Sequence, residues 1–335
     1  MRIIITGGAG FIGQKLAAAI ARAGTLPGPD GGEAVRELVL FDQVEATPPP
    51  EARVAIHTVA GDIADTAALD ALFAGGADVV YHLASVVSAA AESDFELGMG
   101  VNFDGTRAVL EASRKAGGGA TRFIFTSSVA VFGGDLPPVV EDHTAPMPQN
   151  SYGIQKAMAE LLVSDYSRRG FVDGRALRLP TIAVRPGRPN KAASTFASSI
   201  IREPLQGEEA VLPVPEELAM FVLSPRQAIQ ALVHAAGIPA ADFGGSRSVM
   251  LPGIRVTVGE MISALRRVGG DAAVARIRRE PDPTIEAIVG GWPADFDTAK
   301  AERLGFQRDE GIDAIVEAFI EDDSLPAARA AFVQH

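Results

Sequence analysis

Cysteine is absent from the 335 residues. Its absence excludes a disulfide framework, a cysteine nucleophile and a thiolate metal site, and it suits a reducing compartment. Positive charge is scarce as well: 30 Lys and Arg stand against 42 Asp and Glu, a formal net charge of −12. Nucleic acid and anionic membrane are therefore not expected as partners. No apolar run approaches the length of a membrane span. No charged-then-apolar leader precedes the first apolar segment, so the expectation is a cytoplasmic chain without a signal peptide. Histidines number five. His82 has no second histidine or carboxylate cluster near it in sequence, so it reads as a buried structural residue and no metal is expected.

Hydrophobic residues make up 47% and charged residues 21%, which is ample for a core. The length suits an α/β core with a smaller appended lobe. The chain opens on MRIIITGGAGFIG. Ile3, Ile4 and Ile5 form a β-branched run of the kind a strand buried on both faces carries. Gly7, Gly10 and Gly13 follow at a spacing of three, before the helical apolar positions Leu16, Ala17 and Ile20. A strand, a glycine turn and a helix start beginning at Phe11 and Ile12 make a dinucleotide site. The glycines allow a tight turn, close approach to a pyrophosphate and close helix–strand packing, and the helix start offers free N–H groups.

The first helix should run from Phe11 to Ala23 and stop at Gly24. A Gly- and Pro-rich stretch, TLPGPDGGEAVRE, reads as a surface insertion. LVLF, residues 38–41, is the second strand, closed by Asp42. A carboxylate there meets the 2′- and 3′-hydroxyls of an adenosine ribose and repels a 2′-phosphate, which favours NAD over NADP. A third strand at 54–59 leads to Gly61, Asp62 and Ile63, where an adenine could be held. A helix over 66–73 returns to DVVYHLAS, whose Leu83 and Ala84 fall at the carboxyl edge where ligands bind. Alternating strands and helices imply a parallel sheet wrapped by helices. One long helix is expected over 92–116, carrying Asn102 among apolar neighbours, an unusual place for a polar residue. RFIFTSS is the fifth strand, followed by an irregular Pro-rich segment.

After that segment, Asn150 or Ser151 reads as a helix N-cap. Tyr152 and Lys156 then share one helical face at i and i+4. With three tyrosines and five lysines in the chain, such a pair is uncommon by chance. A free phenol titrates near ~10, too high for a base at neutral pH. A neighbouring ammonium favours the phenolate, as does the positive nicotinamide of an oxidised cofactor. The phenolate can take a proton from a substrate hydroxyl while hydride leaves the same carbon, and Ser128 can hold the substrate oxygen.

TGGAGFIG, HLAS, NFDGT, TSSVAVFG and YGIQK, in this order, resemble the extended short-chain dehydrogenase/reductase family, its NAD-dependent epimerase/dehydratase group, over about the first 190 residues. The resemblance implies an α/β, Rossmann-type doubly wound parallel sheet with a smaller C-terminal substrate-binding lobe. It implies Tyr152 and Lys156 as the catalytic pair, Ser128 rather than Ser127 as the serine, and Asn102 as the helix asparagine that supports a proton relay. Phe132 departs from the family's usual tyrosine, which suggests a lost polar contact. Val129 and Ala130 stand where the family's sugar-nucleotide dehydratases carry acids, so dehydration lacks its acid and base. The stretch LPTIAVRPGRPNKAASTFASSIIREPLQG is similar to family members that oxidise the 2-hydroxyl of a four-carbon sugar acid with NAD.

The expected division is a NAD-binding domain over residues 1–180 with a return at 222–251, and a substrate lobe over 181–221 and 252–330. Pro180 borders the cofactor, and Thr181 begins the crossing. An acid substrate in so acidic a protein needs a local cation. Arg185, Arg188, Lys191 and Arg202 are the candidates, with Ser88, Thr181 and Asn190 as hydroxyl partners. The function expected is a NAD-dependent dehydrogenase of a small sugar acid. A sugar-nucleotide 4-epimerase uses the same triad and should retain NAD without net NADH release. An NAD-sensing binding protein without activity would have little use for Ser128, Tyr152 and Lys156 together. A homodimer remains open as the assembly.

Overall fold

Ile3 and Ile5 are wholly buried on one side of the central sheet, and Ile4 is wholly buried on the other. That alternation follows from the two-residue period of a strand, and it makes the first strand the middle of the molecule. The computed structural model describes residues 1–28, 31–118, 121–187 and 192–323. Seven strands form the sheet: β1 (Arg2–Thr6), β2 (Glu37–Asp42), β3 (Ala55–Ala60), β4 (Val79–His82), β5 (Arg122–Ser128), β6 (Asp173–Leu179) and β7 (Ser248–Met250). Their order is β3-β2-β1-β4-β5-β6-β7, and every pairing is parallel. This is the Rossmann-type doubly wound sheet, and its direction reverses between β1 and β4. The crevice beyond the carboxyl ends of those two strands is where such sheets bind ligands.

Seven helices matter below: α1 (Phe11–Ala23), α2 (Thr66–Phe73), α3 (Thr106–Gly117), α4 (Ser151–Arg168), α5 (Thr195–Leu205), α6 (Pro225–Gly237) and α7 (Val258–Val274). α1 ends at Gly24, which adopts φ 70° and donates its N–H to the Ile20 carbonyl. α6 opens with Pro225 in its first turn behind the Ser224 cap and packs on α1. Thr257 and Glu260 close a reciprocal capping box on α7.

Two expectations are corrected. The insertion after α1 is a paired ribbon, Thr25–Gly28 against Gly31–Ala34, and not a plain surface loop. Leu26 anchors it, fully buried in the cluster that holds the apolar face of α6. The single helix over 92–116 is instead two short helices, Ser88–Ser93 and Phe95–Gly98, then a π-helical turn, Met99–Gly105, that runs into α3. Asp94 makes the break: its extended backbone ends one helix, and its carboxylate accepts the Leu97 N–H of the next.

A second apolar cluster gathers Ala183 and Val184, the buried faces of α5 and α7, and the helix Ile312–Asp323. Ala301 and Phe306, within the span expected for the lobe, are buried in the cluster of the main sheet instead. Lys300 fixes that return by donating to the carbonyls of Ser246 and Ser248 beside β7.

Candidate active site

The glycine turn sits at the end of β1, where the sheet reverses. Gly7 adopts φ +73°, and a Cβ there would lie 2.7 Å from the Ala84 nitrogen. The turn therefore closes against the Leu83–Ala84 segment that follows β4. Leu83 donates its N–H to the Thr6 carbonyl. Gly10 is exposed and precedes the first turn of α1, whose leading N–H groups, those of Phe11, Ile12 and Gly13, have no acceptor within the helix. Asp42 ends β2 with its carboxylate on the same turn: Oδ2 accepts the Ala9 N–H at 3.0 Å and Oδ1 the Gln43 N–H at 2.7 Å. A cradle that only glycine backbone can form, free helix N–H groups and a strand-end carboxylate fit a dinucleotide. Asp62 uses its carboxylate on the Ala64 N–H. Ile63 is buried in the cluster with Phe41, so it offers a ligand backbone and not side chain.

Tyr152 and Lys156 lie on the first turns of α4. Asn150, of the two expected caps, accepts the Gly153 N–H and starts the helix. Gly153 lets the helix close on the loop after β5, for a Cβ there would stand 2.1 Å from the Ala130 carbonyl oxygen. This approach sets the Tyr152 phenol beside Ser128, whose hydroxyl favours its ionised form. Ser127, the neighbouring hydroxyl, donates instead to Glu160 Oε1 at 2.6 Å. Lys156 is buried, its Nζ donating to the Thr126 carbonyl at 2.8 Å and standing 5.5 Å from the centre of the Tyr152 ring.

Burial pushes the Lys156 amine down to about 7, with the Glu160 charge pulling the other way. Burial pushes the Tyr152 phenol up to about 12, opposed by the Ser128 hydrogen bond and the Arg185 charge. The resting site therefore holds a protonated phenol beside an ammonium that readily gives up its proton.

Asn102 sits in the π-helical turn, fully buried, and such turns recur at functional sites. Its Oδ1 accepts the Val86 N–H at 2.7 Å and the Ser85 hydroxyl at 2.9 Å. Its Nδ2 donates to the Val86 carbonyl and to Gln155 Oε1 at 2.7 Å. Those bonds occupy the amide on the Ser85–Val86 turn and on α4, rather than on Lys156. His82, buried and held neutral at about 3 by loss of water and the Lys156 charge, ties β4 to β1 and α3. Thr106 donates its hydroxyl to the Asn102 carbonyl, so the Thr106 oxygen must accept from His82 Nε2–H, and Thr6 donates to Nδ1.

Of the candidates for an acid substrate, Arg185 stands out. It is half-buried, it acts electrostatically on Tyr152, and among the described residues it forms no ion pair. Arg202 is already committed: it is buried, paired with Glu203 at 2.6 Å, and donates to the Arg185 carbonyl at 2.5 Å. It braces Arg185 through that carbonyl and carries its own acid partner. The Ser198 hydroxyl accepts the Arg185 N–H. Thr181, half-buried, pairs in register with Val222, and Pro180 before it is buried. Ser88 begins the helix after the Ser85–Val86 turn. Arg188, Asn190 and Lys191 lie outside the described residues.

Three buried residues that brace the elements around the site were not expected from sequence. Glu160 takes a bidentate bond from Arg178 and further bonds from Ser127 and Ser248. The Arg178 guanidinium lies 4.9 Å from the Phe132 ring, so this phenylalanine, in place of the family's tyrosine, packs on a buried cation. Gln155 is the third, and only its place beside Lys156 could have flagged it.

Fold and crevice define a Rossmann-type dinucleotide-binding protein. The profile of the NAD dependent epimerase/dehydratase family matches residues 3–236, and the chain belongs to that family. It is 51% identical to the D-erythronate dehydrogenase of Cupriavidus necator, across 97% of this chain and 99% of that one. It is 44% identical to the D-erythronate dehydrogenase of Haemophilus influenzae, across 96% of this chain and all of the other. A solved structure described as a nucleoside-diphosphate-sugar epimerase from Agrobacterium tumefaciens superposes with a TM-score of 0.91, at 45% identity, covering 96% of this chain and 94% of that one.

Proposed function

We propose that this protein is a NAD-dependent dehydrogenase of a small sugar acid, oxidising the 2-hydroxyl of D-erythronate to the 2-oxo acid. The observation that carries the reading is the Tyr152 phenol next to Ser128, with the Lys156 amine one helical turn away, beside the glycine turn. Likeness to two D-erythronate dehydrogenases supports the substrate.

Gly7, Gly10, the first turn of α1, Asp42 and the Leu83–Ala84 segment would hold the dinucleotide. Bound, it supplies a hydride acceptor and, when oxidised, a positive charge. Asp42, fixed on the glycine turn, accepts from ribose hydroxyls and repels a 2′-phosphate, so NAD is preferred to NADP. Ser128 orients the substrate hydroxyl. Lys156, protonated, draws the phenol down from its resting value. Tyr152 takes the hydroxyl proton as hydride departs from the same carbon, so both electrons of the C–H bond leave with the hydride. Asn102 holds the turn beside the crevice. Arg185 meets the carboxylate, and Arg188, Lys191, Asn190, Thr181 and Ser88 remain further substrate contacts of this proposal. The second apolar cluster serves as the substrate lobe.

The test is NADH formation from a panel of aldonates, with UDP-sugars as controls. NADH from D-erythronate is the expected result. Interconversion of UDP-sugars without NADH release supports the epimerase reading, to which the Agrobacterium tumefaciens structure lends its name. Neither reaction, with NAD bound, returns the protein to the sensing class.

Among the described residues no helix is long and apolar enough to cross a membrane. We infer a homodimer. Ile154 and Leu161, seven residues apart and so on one stripe of α4, are 45% and 72% exposed. Leu161→Asp should leave a monomer by light scattering, and an unchanged mass would refute the inference.

A further inference from the structure

Gln155 is buried, yet its Nε2 has no hydrogen-bond partner among the described residues. The orientation of that amide is dictated by its neighbours. The Val86 N–H can only donate, so the Asn102 atom facing it is Oδ1. The other Asn102 atom is then the donor Nδ2, and the Gln155 atom that meets it must be the acceptor Oε1. The Gln155 NH2 is consequently left facing the Phe95–Gly98 helix, 2.6 Å from where a Gly98 Cβ would stand. A buried donor left unmade costs more than one net hydrogen bond returns. Stability alone would favour an apolar side chain of the same length at this position.

The bond that Gln155 does make joins two halves of the crevice. On one side, Asn102 holds both polar groups of the Val86 backbone and the Ser85 hydroxyl. This turn continues Leu83–Ala84, on which the glycine turn rests. On the other side, Gln155 is the residue before Lys156 on α4. One helical turn earlier, the Ser151 N–H is accepted by Glu92 from the same 85–102 segment. The segment is thus pinned to α4 at its first turn and again beside the lysine.

We propose that Gln155 is a positioning residue, which through Asn102 clasps the Ser85–Val86 turn to the helix carrying Tyr152 and Lys156 and so sets the dinucleotide side of the crevice against the phenol. The positioning role rests on the dehydrogenase reading; the clasp itself does not. In the full-length protein, Gln155→Met removes the acceptor and the orphaned donor together. Hydrogen–deuterium exchange at the Val86 amide, measured without substrate, should quicken severalfold while the core stays protected and the melting temperature holds or rises. In steady-state turnover of D-erythronate, kcat should fall about tenfold with KM for NAD little changed. Gln155→Glu, isosteric with the amide and keeping an acceptor oxygen for Asn102 Nδ2, should restore both Val86 protection and most of kcat.

Unaltered Val86 exchange in Gln155→Met overturns the clasp. Faster exchange with unaltered kcat overturns the positioning role. A fall in melting temperature with exchange quickened throughout the core shows a merely structural residue and overturns it too. Failure of the unmutated protein to oxidise any acid refutes the dehydrogenase reading instead, and the Val86 measurement still decides the clasp.

Discussion

His82 and Tyr152 show how one environment, loss of water, acts on two residues with opposite consequences. His82 is kept neutral in the fold, about 3 against the ordinary 6.5. Between those two values the unfolded chain binds a proton that the folded chain refuses, so stability falls as pH drops from 6.5 towards 3, by about 1.4 kcal/mol for each pH unit at most. His82→Gln, which keeps hydrogen-bonding groups without the titration, should flatten this limb. Urea denaturation at pH 4 and 7 measures it, and an unchanged slope would show that His82 is protonated in the fold. Tyr152 carries the opposite shift, upward to about 12, so it must be brought down in the working complex. Tyr152→Phe should lower kcat by about 10²–10⁴ and leave NAD affinity within a few-fold. A variant that turns over normally would remove the phenol from the mechanism.

At the scale of elements, the glycine turn and the end of β2 form one device. Asp42 spends one oxygen on Ala9 and one on Gln43, and so stands fixed where the proposed dinucleotide would present its ribose hydroxyls. Hydrogen bonds to a charged acceptor contribute about 1.5–3 kcal/mol. NAD should therefore bind roughly 10–100-fold more tightly than NADP. Asp42→Asn, which keeps an acceptor for Ala9 but removes the charge, should narrow that gap. Equal affinity for both dinucleotides in the unmutated protein, by fluorescence titration, would show that Asp42 does not select.

These elements were readable because their signals are local: a β-branched run, glycines three apart, and a tyrosine and lysine four apart. Gly24 gave α1 its end and Asn150 or Ser151 gave α4 its start for the same reason. What stayed hidden depends on partners distant in sequence. Gln155 finds Asn102 across 53 positions, and Glu160 finds Ser248 across 88. The π-helical turn has no period of its own to betray it, and Asp94 looked like one more polar residue on a helix. Leu26 was one of few apolar residues in a Gly-Pro stretch, and its burial follows only once α6 returns to cover it.

The whole molecule opposes its own proposed substrate. A net charge of −12 repels a carboxylate at long range, and that repulsion reaches about 10 Å at 0.1 M salt. Arg185 answers it at short range. It is half-buried, free of any acid among the described residues, and held by Ser198 on its N–H and Arg202 on its carbonyl. Its planar fork suits a carboxylate through two parallel bonds, and a half-buried cation is screened less by salt than the surface charge is. Raising ionic strength from low to physiological values should therefore increase kcat/KM for the acid in the unmutated enzyme. Arg185→Gln should raise KM for D-erythronate about 10–100-fold, the size of a lost charge-assisted pair, with NAD affinity unchanged. Because Arg185 also pulls the phenol down, the same variant should move the rising limb of the pH–rate profile upward for every substrate. The KM effect should appear for the acid alone. An uncharged polyol accepted as well as the corresponding acid would show that Arg185 acts on the phenol and binds no carboxylate.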